Sequence, residues 1–506
     1  MIKVNELAVL DSLTVHDLLV EPRRIKATYT ITNKEGESNS SQLIYSYDFP
    51  LFDSNSFQDV NLASMMAVQV ALNYGLFFRK IIFDGLFDSI DQRFLVKMLE
   101  NTSREILVNK FLVKNEFLKT PFDRVIPEKK DKYTNAELIF ENSAFQRLKK
   151  DGLPGKVDYD HYAILSSGGK DSLLTYGLIK EIGEPHPIFI NESGRHWFTA
   201  INAYRHYQEI EPNTHKPWCN SDRIFNWMVR QMPFVKENFQ NIRADIYPIR
   251  LWTVAVFLFG VLPLVRKKKI GNILIGNEYD TTLRGNYQGI SHYNGLYDQS
   301  KYFDNALTRY FHQKGWNIYQ YSVLRSLSEL LILKVLVKRY PNLQVHQVSC
   351  HAAHDHQGRM FPCGKCEKCR RIIGMLKALG EDPKRCGYTE EQIQNGLNAL
   401  AQKNVKQIGS DSNHLFHILL AKGMIPENEH TLRLAKPHPE IMKLRFDNER
   451  SMLADMPIWI RKKVLGIYEK YSDGYVQLKN KRWNNISKLD LHFEGSHFLN
   501  KKMNEK

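Results

Sequence analysis

The chain has 506 residues, enough for about three domains at roughly 150 residues each and for a large buried core. Hydrophobic residues make up 43% and charged residues 25%, which excludes a disordered, collagen-like or coiled-coil chain. The net charge of +15 favours polyanionic partners such as nucleic acid, nucleotides or an anionic membrane, although a merely solvated basic surface explains it equally well.

Two features bear on membranes and compartment. The longest apolar run, residues 251–265, is too short to span a bilayer, which needs about 18 to 20 residues, so we expect a buried core helix. Glu6 and Asp11 stand where a signal peptide would have a basic start and an apolar stretch. We therefore expect no membrane partner and a cytoplasmic location. Six cysteines are too few for a disulfide framework, which suits a reducing compartment.

The first quarter of the chain mixes strand and helix patterns. Residues 24–32 and 42–49 alternate as strands around a polar turn, residues 80–85 read as a strand, and helical spacing covers residues 62–77 and 88–111. These patterns predict a small α+β domain over residues 1–127, followed by a charged linker over residues 128–160.

The middle of the chain has a different pattern. Short apolar runs at residues 162–166, 187–191 and 272–276 are separated by helical stretches, as in a parallel sheet buried on both faces. We predict a doubly wound α/β domain over residues 161–388. Residues 389–506 are predicted to be mainly helical, with a tail from Gln477 that holds seven Lys or Arg against three Asp or Glu.

A glycine turn follows the strand predicted at residues 162–166. It reads Ser167-Gly168-Gly169-Lys170-Asp171-Ser172 and runs into a stretch with helical spacing. A strand, a glycine turn and a helix together aim backbone N–H groups and the positive end of a helix dipole at a phosphate. Lys170 adds a positive charge and the serines add hydroxyl donors. The carboxylate of Asp171 would repel a phosphate, so its presence in the turn suggests a Mg²⁺ ion that bridges Asp171 to phosphate oxygens.

The turn lacks the Walker pattern G-x-x-x-x-G-K-[ST]. It resembles the PP-loop, S-G-G-x-D-S, of the N-type ATP pyrophosphatases, with an ordinary glycine turn as the alternative. The resemblance implies an adenine nucleotide alpha hydrolase-like fold and transfer of AMP from ATP to a substrate oxygen. It implies that Lys170, Asp171 and Ser172 act in catalysis. The implied nucleotide-binding residues are Ser166, Ser167, Gly168, Gly169, Lys170, Asp171 and Ser172.

Two further segments follow predicted strands, at the edge where open α/β sheets bind ligands. After the strand at residues 272–276, Asn277, Glu278 and Asp280 could bind nucleotide, Mg²⁺ or substrate. A solvated acidic turn is an equally good interpretation of these residues. After the strand at residues 187–191, Glu192 and Arg195 could contact adenosine or substrate, although here an ordinary loop is favoured.

A cysteine cluster lies near the end of the middle domain. Cys363, Cys366 and Cys369 have C-x-x-C-x-x-C spacing and Cys350 precedes them by one loop, so four thiolates could surround Zn²⁺, with Gly364 letting the backbone turn around the ion. An iron–sulfur cluster is the main alternative, although the proline-marked fourth cysteine of ferredoxins is missing. A site with four protein ligands would be structural.

Other residues could compete for these roles. The loop between the first two cysteines of the cluster holds three histidines, any of which could replace a thiolate: His351, His354 and His356. Cys219 and Cys386 are isolated, and each is a nucleophile candidate with no evident general base nearby. A structural role is the more common one for such cysteines.

A wider resemblance rests on the order of motifs. A strand end at Ser322 leads into a helix that we expect to begin with a capping box of Ser326 and Glu329, after S-G-G-K-D-S and before S-C…C-G-x-C-x-x-C-R. This order resembles the 7-cyano-7-deazaguanine synthases over residues 161–388. It implies ATP- and Mg²⁺-dependent adenylation of a carboxylate, attack by ammonia, and zinc held by Cys350, Cys363, Cys366 and Cys369. The flanking regions have no counterpart in that family.

A more distant resemblance is to the ATP-dependent UDP-MurNAc-L-alanyl-L-glutamate epimerases, through G-N-E after a strand and the cysteine cluster. It implies an acyl adenylate whose neighbouring α-proton becomes acidic. The sequence thus favours an AMP-forming enzyme that takes ATP and a small-molecule carboxylate. The alternatives are a tRNA-modifying PP-loop enzyme and a zinc-containing module that binds nucleic acid through its basic charge.

Overall fold

The computed structural model describes residues 1–143, 156–192, 194–242, 247–293 and 296–491, with only the backbone of Arg195. The strands are β1 (Leu10–Glu21), β2 (Arg24–Thr32), β3 (Ser38–Ser46), β4 (Phe78–Asp84), β5 (Glu137–Glu141), β6 (Asp158–Leu165), β7 (Glu184–Ile188), β8 (Trp218–Cys219), β9 (Ile270–Leu274), β10 (Arg284–Tyr287), β11 (Ile290–Tyr293), β12 (Tyr319–Tyr321), β13 (His354–His356), β14 (Arg359–Phe361), β15 (Leu444–Phe446), β16 (Tyr475–Lys479) and β17 (Arg482–Ile486).

The helices lie between these strands and around them. They are α1 (Phe57–Ala67), α2 (Ser89–Ile106), α3 (Lys170–Lys180), α4 (Arg195–Ile210), α5 (Ser221–Gln231), α6 (Val254–Lys267), α7 (Lys301–Gln313), α8 (Glu329–Arg339), α9 (Pro341–Gln344), α10 (Glu367–Ala378), α11 (Glu390–Leu400), α12 (Gly409–Ala421), α13 (Glu429–Leu434) and α14 (Ile458–Tyr468). The described chain is therefore a mixed α/β protein.

The first sheet contains the predicted hairpin. Its strand order is β5-β4-β1-β2-β3-β8, and β2 pairs antiparallel with β3 as the alternating residues predict. Alternate residues of β2 are buried, because successive side chains of a strand point to opposite faces. The strand β1 also belongs to this sheet, where it pairs antiparallel with β2 and parallel with β4.

The first sheet extends beyond the predicted N-terminal domain. The stretch predicted as a linker, residues 128–160, contains β5, which pairs parallel with β4, and also the start of β6. From the middle of the chain, β8 pairs with β3. Tyr45 and Tyr47 donate hydrogen bonds to the carbonyl oxygens of Val256 and Gly260 in α6, at 3.3 and 2.7 Å. The first sheet and the middle of the chain therefore share one core.

The second sheet lies in the middle of the chain and confirms the predicted parallel arrangement, although β7 ends at Ile188 and so shares only two residues with the run predicted at residues 187–191. Its order is β12-β9-β6-β7, and every adjacent pair is parallel. All five residues of β9 are buried, as expected for a strand covered on both faces. The apolar run at residues 251–265 forms most of the buried helix α6, as predicted. Among the described residues, none of the helices has the length and apolar character needed to cross a membrane.

The last part of the chain is mainly helical, as predicted, but it also contains a small sheet. There β15 pairs parallel with β16, and β16 pairs antiparallel with β17. Asn480 and Lys481 join β16 to β17 with positive φ angles of 52° and 61°, which is the geometry of a tight two-residue hairpin turn. The start of the predicted basic tail is therefore a hairpin, and the rest of that tail, from residue 492, lies outside the described residues.

Candidate active site and metal centre

The glycine turn lies between β6 and α3, at the carboxyl end of its strand. Gly168 has a φ of +74°, a left-handed conformation that glycine adopts without strain. A Cβ atom on Gly168 would collide with the backbone carbonyl oxygen of Thr199 in α4. Gly169 precedes the first residue of α3 without a side-chain cap, so the first N–H groups of α3 have no capping side chain there. The local geometry therefore requires a glycine at position 168.

The serines of the turn divide into exposed and buried ones. Ser167 is exposed, whereas Ser172 is buried. The hydroxyl of Ser172 accepts a hydrogen bond from the N–H of Ser167 at 3.3 Å and donates one to the carbonyl of Gly169 at 3.1 Å. The Oγ atom of Ser166 is buried and has no partner among the described residues. Ser172 thus braces the turn, and Ser167 is the serine that faces solvent.

Lys170 is the buried centre of an ion-pair cluster. Its Nζ atom lies 2.7 Å from Asp171, 3.3 Å from Glu278 and 3.2 Å from Glu329. Burial opposes its charge, but these three carboxylates outweigh burial and raise the pKa of Lys170 well above its ordinary value. The ammonium group therefore contacts three carboxylates, and its predicted contact with a phosphate stays a prediction. We call Lys170, Asp171, Glu278 and Glu329 the Lys170 cluster.

The second segment predicted to belong to the site joins this cluster. Gly276 follows β9, and a Cβ atom there would lie 2.8 Å from the Cβ of Asp171. This close approach brings Glu278 within reach of Lys170. The backbone N–H of Asn277 donates a hydrogen bond to Ser322 Oγ at 3.1 Å, which fixes the position of this residue. Asn277 Nδ2 is buried and has no partner among the described residues.

Glu329 entered the sequence interpretation only as part of a capping box, and its role in the structure is different. The N-cap of α8 is Ser328, whose Oγ accepts a hydrogen bond from the N–H of Leu331 at 3.0 Å, so the predicted cap Ser326 is wrong. Glu329 is free to turn toward Lys170, and its other oxygen accepts from Arg371 at 3.1 Å. Burial would raise the pKa of Glu329, but Lys170 and Arg371 together lower it.

Residues of the last part of the chain complete the acidic side of the site. Asp411 in α12 pairs with Arg445 at 3.2 Å, and the guanidinium of Arg445 lies 4.0 Å from the ring centre of Tyr279. The hydroxyl of Tyr279 donates to Asp447 at 2.5 Å. Burial, Asp411 and Glu329 raise the pKa of Asp280 to about 6. The sequence contained no local signal for the contributions of Asp411 and Arg445.

The carboxylates leave room for an added cation in the charge balance. Four carboxylates, those of Asp171, Glu278, Asp280 and Glu329, face two cations, Lys170 and the Arg371 that pairs with Glu329. Burial together with its acidic neighbours raises the pKa of Glu278 despite Lys170. Asp280 Oδ1 is buried without a hydrogen-bond partner among the described residues. Oxygen ligands of this kind suit Mg²⁺, so the donor set fits that ion.

A chain of polar side chains lies on the other side of the glycine turn. Glu192 follows β7 and its carboxylate lies 2.9 Å from Nδ1 of His196, in the first turn of α4. Nε2 of His196 forms a hydrogen bond with the hydroxyl of Tyr247. The hydroxyl of Thr199, one turn further along α4, donates to the carbonyl oxygen of Ser167 at 3.2 Å. We call Glu192, His196 and Tyr247 the His196 chain; it adjoins the glycine turn.

The sequence pointed to Glu192 and Arg195 in this segment, whereas the structure links Glu192 to His196 and Tyr247. Glu192 contacts His196, its predicted contact with adenosine or substrate stays a prediction, and the side chain of Arg195 lies outside the described residues. The guanidinium of Arg250 stacks 3.8 Å from the ring centre of Tyr247 and pairs with Asp222 at 3.0 Å. Burial raises the pKa of Tyr247, and Arg250 opposes that rise. His196 and Tyr247 were not predicted, because no short motif joins them.

The four cysteines of the predicted cluster come together. The Sγ atom of Cys366 lies 3.5 Å from those of Cys350 and Cys369, and the Sγ atom of Cys363 lies 3.8 Å from that of Cys369. Four sulfurs about 2.3 Å from a central Zn²⁺ would stand about 3.8 Å apart, so the spacing is compatible with zinc. All six cysteines are free thiols. Cys350, Cys363, Cys366 and Cys369 therefore form a group that could hold a metal ion.

The local backbone explains this convergence. Gly364 has a φ of +71°, and a Cβ atom there would lie 2.5 Å from the side chain of Gln392. Cys366 is the N-cap of α10, where the positive end of the helix dipole favours a thiolate. The N–H of Val348 donates to the carbonyl of Gly168 at 3.2 Å, which ties the segment before Cys350 to the glycine turn.

The competing metal ligands do not join the cysteine group. His351, His354 and His356 are exposed, and the last two lie in the short hairpin strand β13. Cys219 and Cys386 are buried, and burial raises the pKa of each thiol to about 12, which disfavours the nucleophilic thiolate. No family profile matches the chain, and no curated protein is significantly similar to it.

Proposed function

We propose that the chain is an ATP-dependent, AMP-forming enzyme that adenylates a carboxylate of a small molecule, as its resemblance to the N-type ATP pyrophosphatases implies. One observation carries the proposal. The glycine turn after β6 stands at the carboxyl end of a parallel sheet, and Glu278, from the segment after β9, lies beside it through its contact with Lys170. A phosphate-binding turn next to clustered carboxylates is the arrangement that a magnesium–nucleotide complex requires.

The strand order supports this location. The chain passes from β6 to β7 on one side and later to β9 on the other side of β6, so the order reverses between β6 and β9. In open α/β sheets, ligands bind in the crevice outside the carboxyl ends of the strands at such a reversal. The glycine turn and residues 276–280 flank that crevice. We propose that this sheet is the doubly wound, PP-loop type of sheet.

Each residue of the site has a proposed role. The N–H groups at the start of α3 and the exposed Ser167 bind the terminal phosphates, where the helix dipole stabilises the pyrophosphate that departs. A substrate carboxylate oxygen attacks the α-phosphorus of ATP, and the bond from that phosphorus to the oxygen that bridges it to the β-phosphorus breaks. The products are an acyl adenylate and pyrophosphate. Lys170 holds the carboxylates of Asp171 and Glu278 in place through its ion pairs with them. Asp171, Glu278 and Asp280 would hold Mg²⁺, which neutralises phosphate charge.

The cysteine group has a separate proposed role. We propose that Cys350, Cys363, Cys366 and Cys369 bind a structural Zn²⁺, because four protein ligands leave no open coordination position for chemistry. The bound ion would hold residues 348–369 against the glycine turn and α4. Asn202 of α4 already exchanges two hydrogen bonds with the backbone of Met360, at 2.8 and 3.0 Å.

The His196 chain favours one second half-reaction over others. A carboxylate, an imidazole and a phenol linked by hydrogen bonds can take up a proton at one end and stabilise the resulting charge. An acyl adenylate makes its neighbouring α-proton acidic, so the epimerase-like alternative needs such a group beside the turn. We propose His196 as the group that removes this proton, with Glu192 positioning its ring.

The first test measures adenylation directly. The protein is incubated with ATP, Mg²⁺ and a panel of carboxylates, with hydroxylamine added to trap acyl adenylates, and AMP and pyrophosphate are quantified. We expect equal amounts of both products, a large loss in Glu278→Gln and Asp171→Asn, and unchanged activity in Glu181→Gln at the far end of α3. Formation of ADP in place of AMP, failure of ATP to bind in equilibrium dialysis, or wild-type turnover by Glu278→Gln would refute the proposal.

The second test separates the two half-reactions. In deuterated water, an epimerase places deuterium at the α-carbon of its product, and this exchange requires the proton-removing group. We expect His196→Asn to form AMP but to lose deuterium incorporation. His206→Asn is the matched control, since His206 lies in the same helix but stacks on His346, with ring centres 4.0 Å apart. Equal loss of AMP formation and deuterium incorporation in His196→Asn would assign this residue to the first step instead.

A further inference from the structure

A second group of metal-ligand side chains lies on the strands β6 and β7 of the parallel sheet. His161, in the middle of β6, stands directly across from Glu184, the first residue of β7. His186 follows Glu184 by two residues, and side chains two apart on a strand share a face. The register of two parallel strands therefore places His161, Glu184 and His186 on one patch of the sheet.

The ligand atoms of these three residues converge. Nδ1 of His161 lies 2.9 Å from Nε2 of His186, and that Nε2 lies 3.7 Å from Oε1 of Glu184. Nε2 of His161 lies 3.3 Å from the other oxygen of Glu184. One ligand atom from each residue lies within 4.8 Å of the others, which among the described residues holds for this group and for the four cysteines.

We propose that His161, Glu184 and His186 form a binding site for a divalent transition-metal ion of the Zn²⁺ class, which we call the β6–β7 site. Two imidazoles and one carboxylate are a donor set that zinc prefers, and they leave a fourth coordination position open to water. The site is separate from the cysteine group and independent of the function proposed above.

The burial of His186 supports this site. His186 is 2% exposed, and its Nδ1 atom is buried with no partner among the described residues. Its Nε2 atom faces Nδ1 of His161, and in a hydrogen bond between them one nitrogen carries the hydrogen and only the other offers a lone pair. A metal ion would use both lone pairs at once. Two nitrogens on a tetrahedral zinc stand about 3.3 Å apart, so the rings need to separate only slightly.

The site is accessible and has a clear structural consequence. The side chains of His161 and Glu184 are 26% and 47% exposed, so an ion can enter from solvent. The carboxylate of Asp158 lies 3.6 Å from Nε2 of His161 and adds negative charge beside the site. A bound ion would link the middle of β6, the strand that leads into the glycine turn, to the start of β7.

The test counts metal ions on the full chain without an affinity tag. Protein with metal retained in the cysteine group is titrated with Co²⁺ in excess Mg²⁺, which occupies the carboxylates around Lys170, and equilibrium dialysis with Zn²⁺ under the same conditions gives the stoichiometry. We expect one further equivalent of each metal, and the added Co²⁺ should show d–d absorption without a sulfur-to-cobalt charge-transfer band. A wild-type protein that binds no further equivalent would overturn the proposal.

Variants then locate the added ion. We expect His161→Gln and Glu184→Gln to lose this equivalent, and both positions are exposed enough for the fold to persist. His215→Gln is the matched control, because its ring stacks on that of His186 at 6.3 Å but lies outside the ligand group. His215→Gln should keep the equivalent. Retention of the added ion by His161→Gln and Glu184→Gln would also overturn the proposal.

Discussion

The ammonium of Lys170 lies 3.2 Å from the carboxylate of Glu329, and this pair joins the first residue of α3 to the first residue of α8. The two helices follow β6 and β12 of the parallel sheet. Both side chains are buried, so the pair cannot exchange its partners for water without opening the site. The pair therefore makes the geometry of the glycine turn depend on the last strand of the sheet.

Replacing Lys170 by methionine should destabilise the protein. The variant leaves the carboxylates of Asp171, Glu278 and Glu329 close together without their shared cation, and removing one partner of a buried ion pair costs about 3 to 5 kcal/mol. Urea unfolding measures the loss. Lys384→Met is the control, because Lys384 pairs with Glu390 on the surface, and we expect little change there. Equal stability of the two variants would contradict a buried role for Lys170.

Gly168→Ala should lower the free energy of unfolding more than Gly380→Ala does, although the two glycines have nearly the same φ angle. Gly168 and Gly380 have φ angles of +74° and +76°, and alanine in this region costs roughly 1 to 2 kcal/mol at either position. Gly168→Ala adds a collision with the backbone of Thr199, whereas no described atom lies within 4 Å of a Cβ placed on Gly380. Unfolding experiments should show the larger loss in Gly168→Ala, and equal losses would mean that the turn can move away from α4.

The sequence predicted the parts of the site whose signals are local. The glycine turn, the apolar strands before it and the cysteine spacing each occupy one short stretch, so residue types and spacing were sufficient. Glu329, Asp411 and Arg445 reach the site through tertiary packing, and their neighbours in sequence carry no corresponding pattern. Tertiary packing also explains His196, whose partner Tyr247 comes from a different segment.

In the fold, too, the elements with local sequence signals were predicted and the pairings between distant segments were not. Strands with continuous apolar runs, such as β6 and β9, were found, whereas β5 was assigned to a linker because ELIFE has a charge at each end and lies in a charged stretch. The pairing of β8 with β3 joins distant parts of the chain, and neither strand alone indicates it. The boundaries proposed for the separate domains remain a prediction.

The unfolding free energy should depend on Asp280 in mildly acidic solution. The pKa of Asp280 is raised from 3.8 to about 6, so the folded protein keeps a proton that the unfolded chain releases between these values. The contribution is fully present below pH 3.8 and is lost as the pH rises through about 6, with a limiting slope of about 1.4 kcal/mol per pH unit. The unfolding free energy of the wild type minus that of Asp280→Asn should therefore fall as the pH rises through this window. A difference that does not change with pH would contradict the raised pKa of Asp280.

Arg445 should matter more to stability than its neighbour Arg450. Both guanidinium groups stack on Tyr279, at 4.0 and 5.4 Å from the ring centre, but Arg445 is buried and pairs with the buried Asp411. Arg445→Leu leaves that carboxylate unpaired and should cost about 3 to 5 kcal/mol, whereas Arg450→Leu should cost about 1 kcal/mol or less. Chemical denaturation of the two variants decides this, and the reverse order would show that Asp411 finds another partner.

Removal of metal from the cysteine group should loosen the glycine turn. The group joins residues 348–369 to the turn through the hydrogen bond from Val348 to Gly168, so loss of the ion should raise hydrogen exchange in both segments. Metal analysis of the wild type should give one zinc held by thiolates. We expect Cys366→Ser to lose this zinc and to show the faster exchange.

Cys386→Ser is the control for that comparison, since Cys386 is buried and lies outside the four-cysteine group. This variant should keep its zinc and the exchange rates of the wild type. Iron with acid-labile sulfide in place of zinc would assign the group to an iron–sulfur cluster. Zinc loss without faster exchange at the glycine turn would show that the hydrogen bond of Gly168 holds independently of the metal, and the structural role would then be confined to the segment around α10.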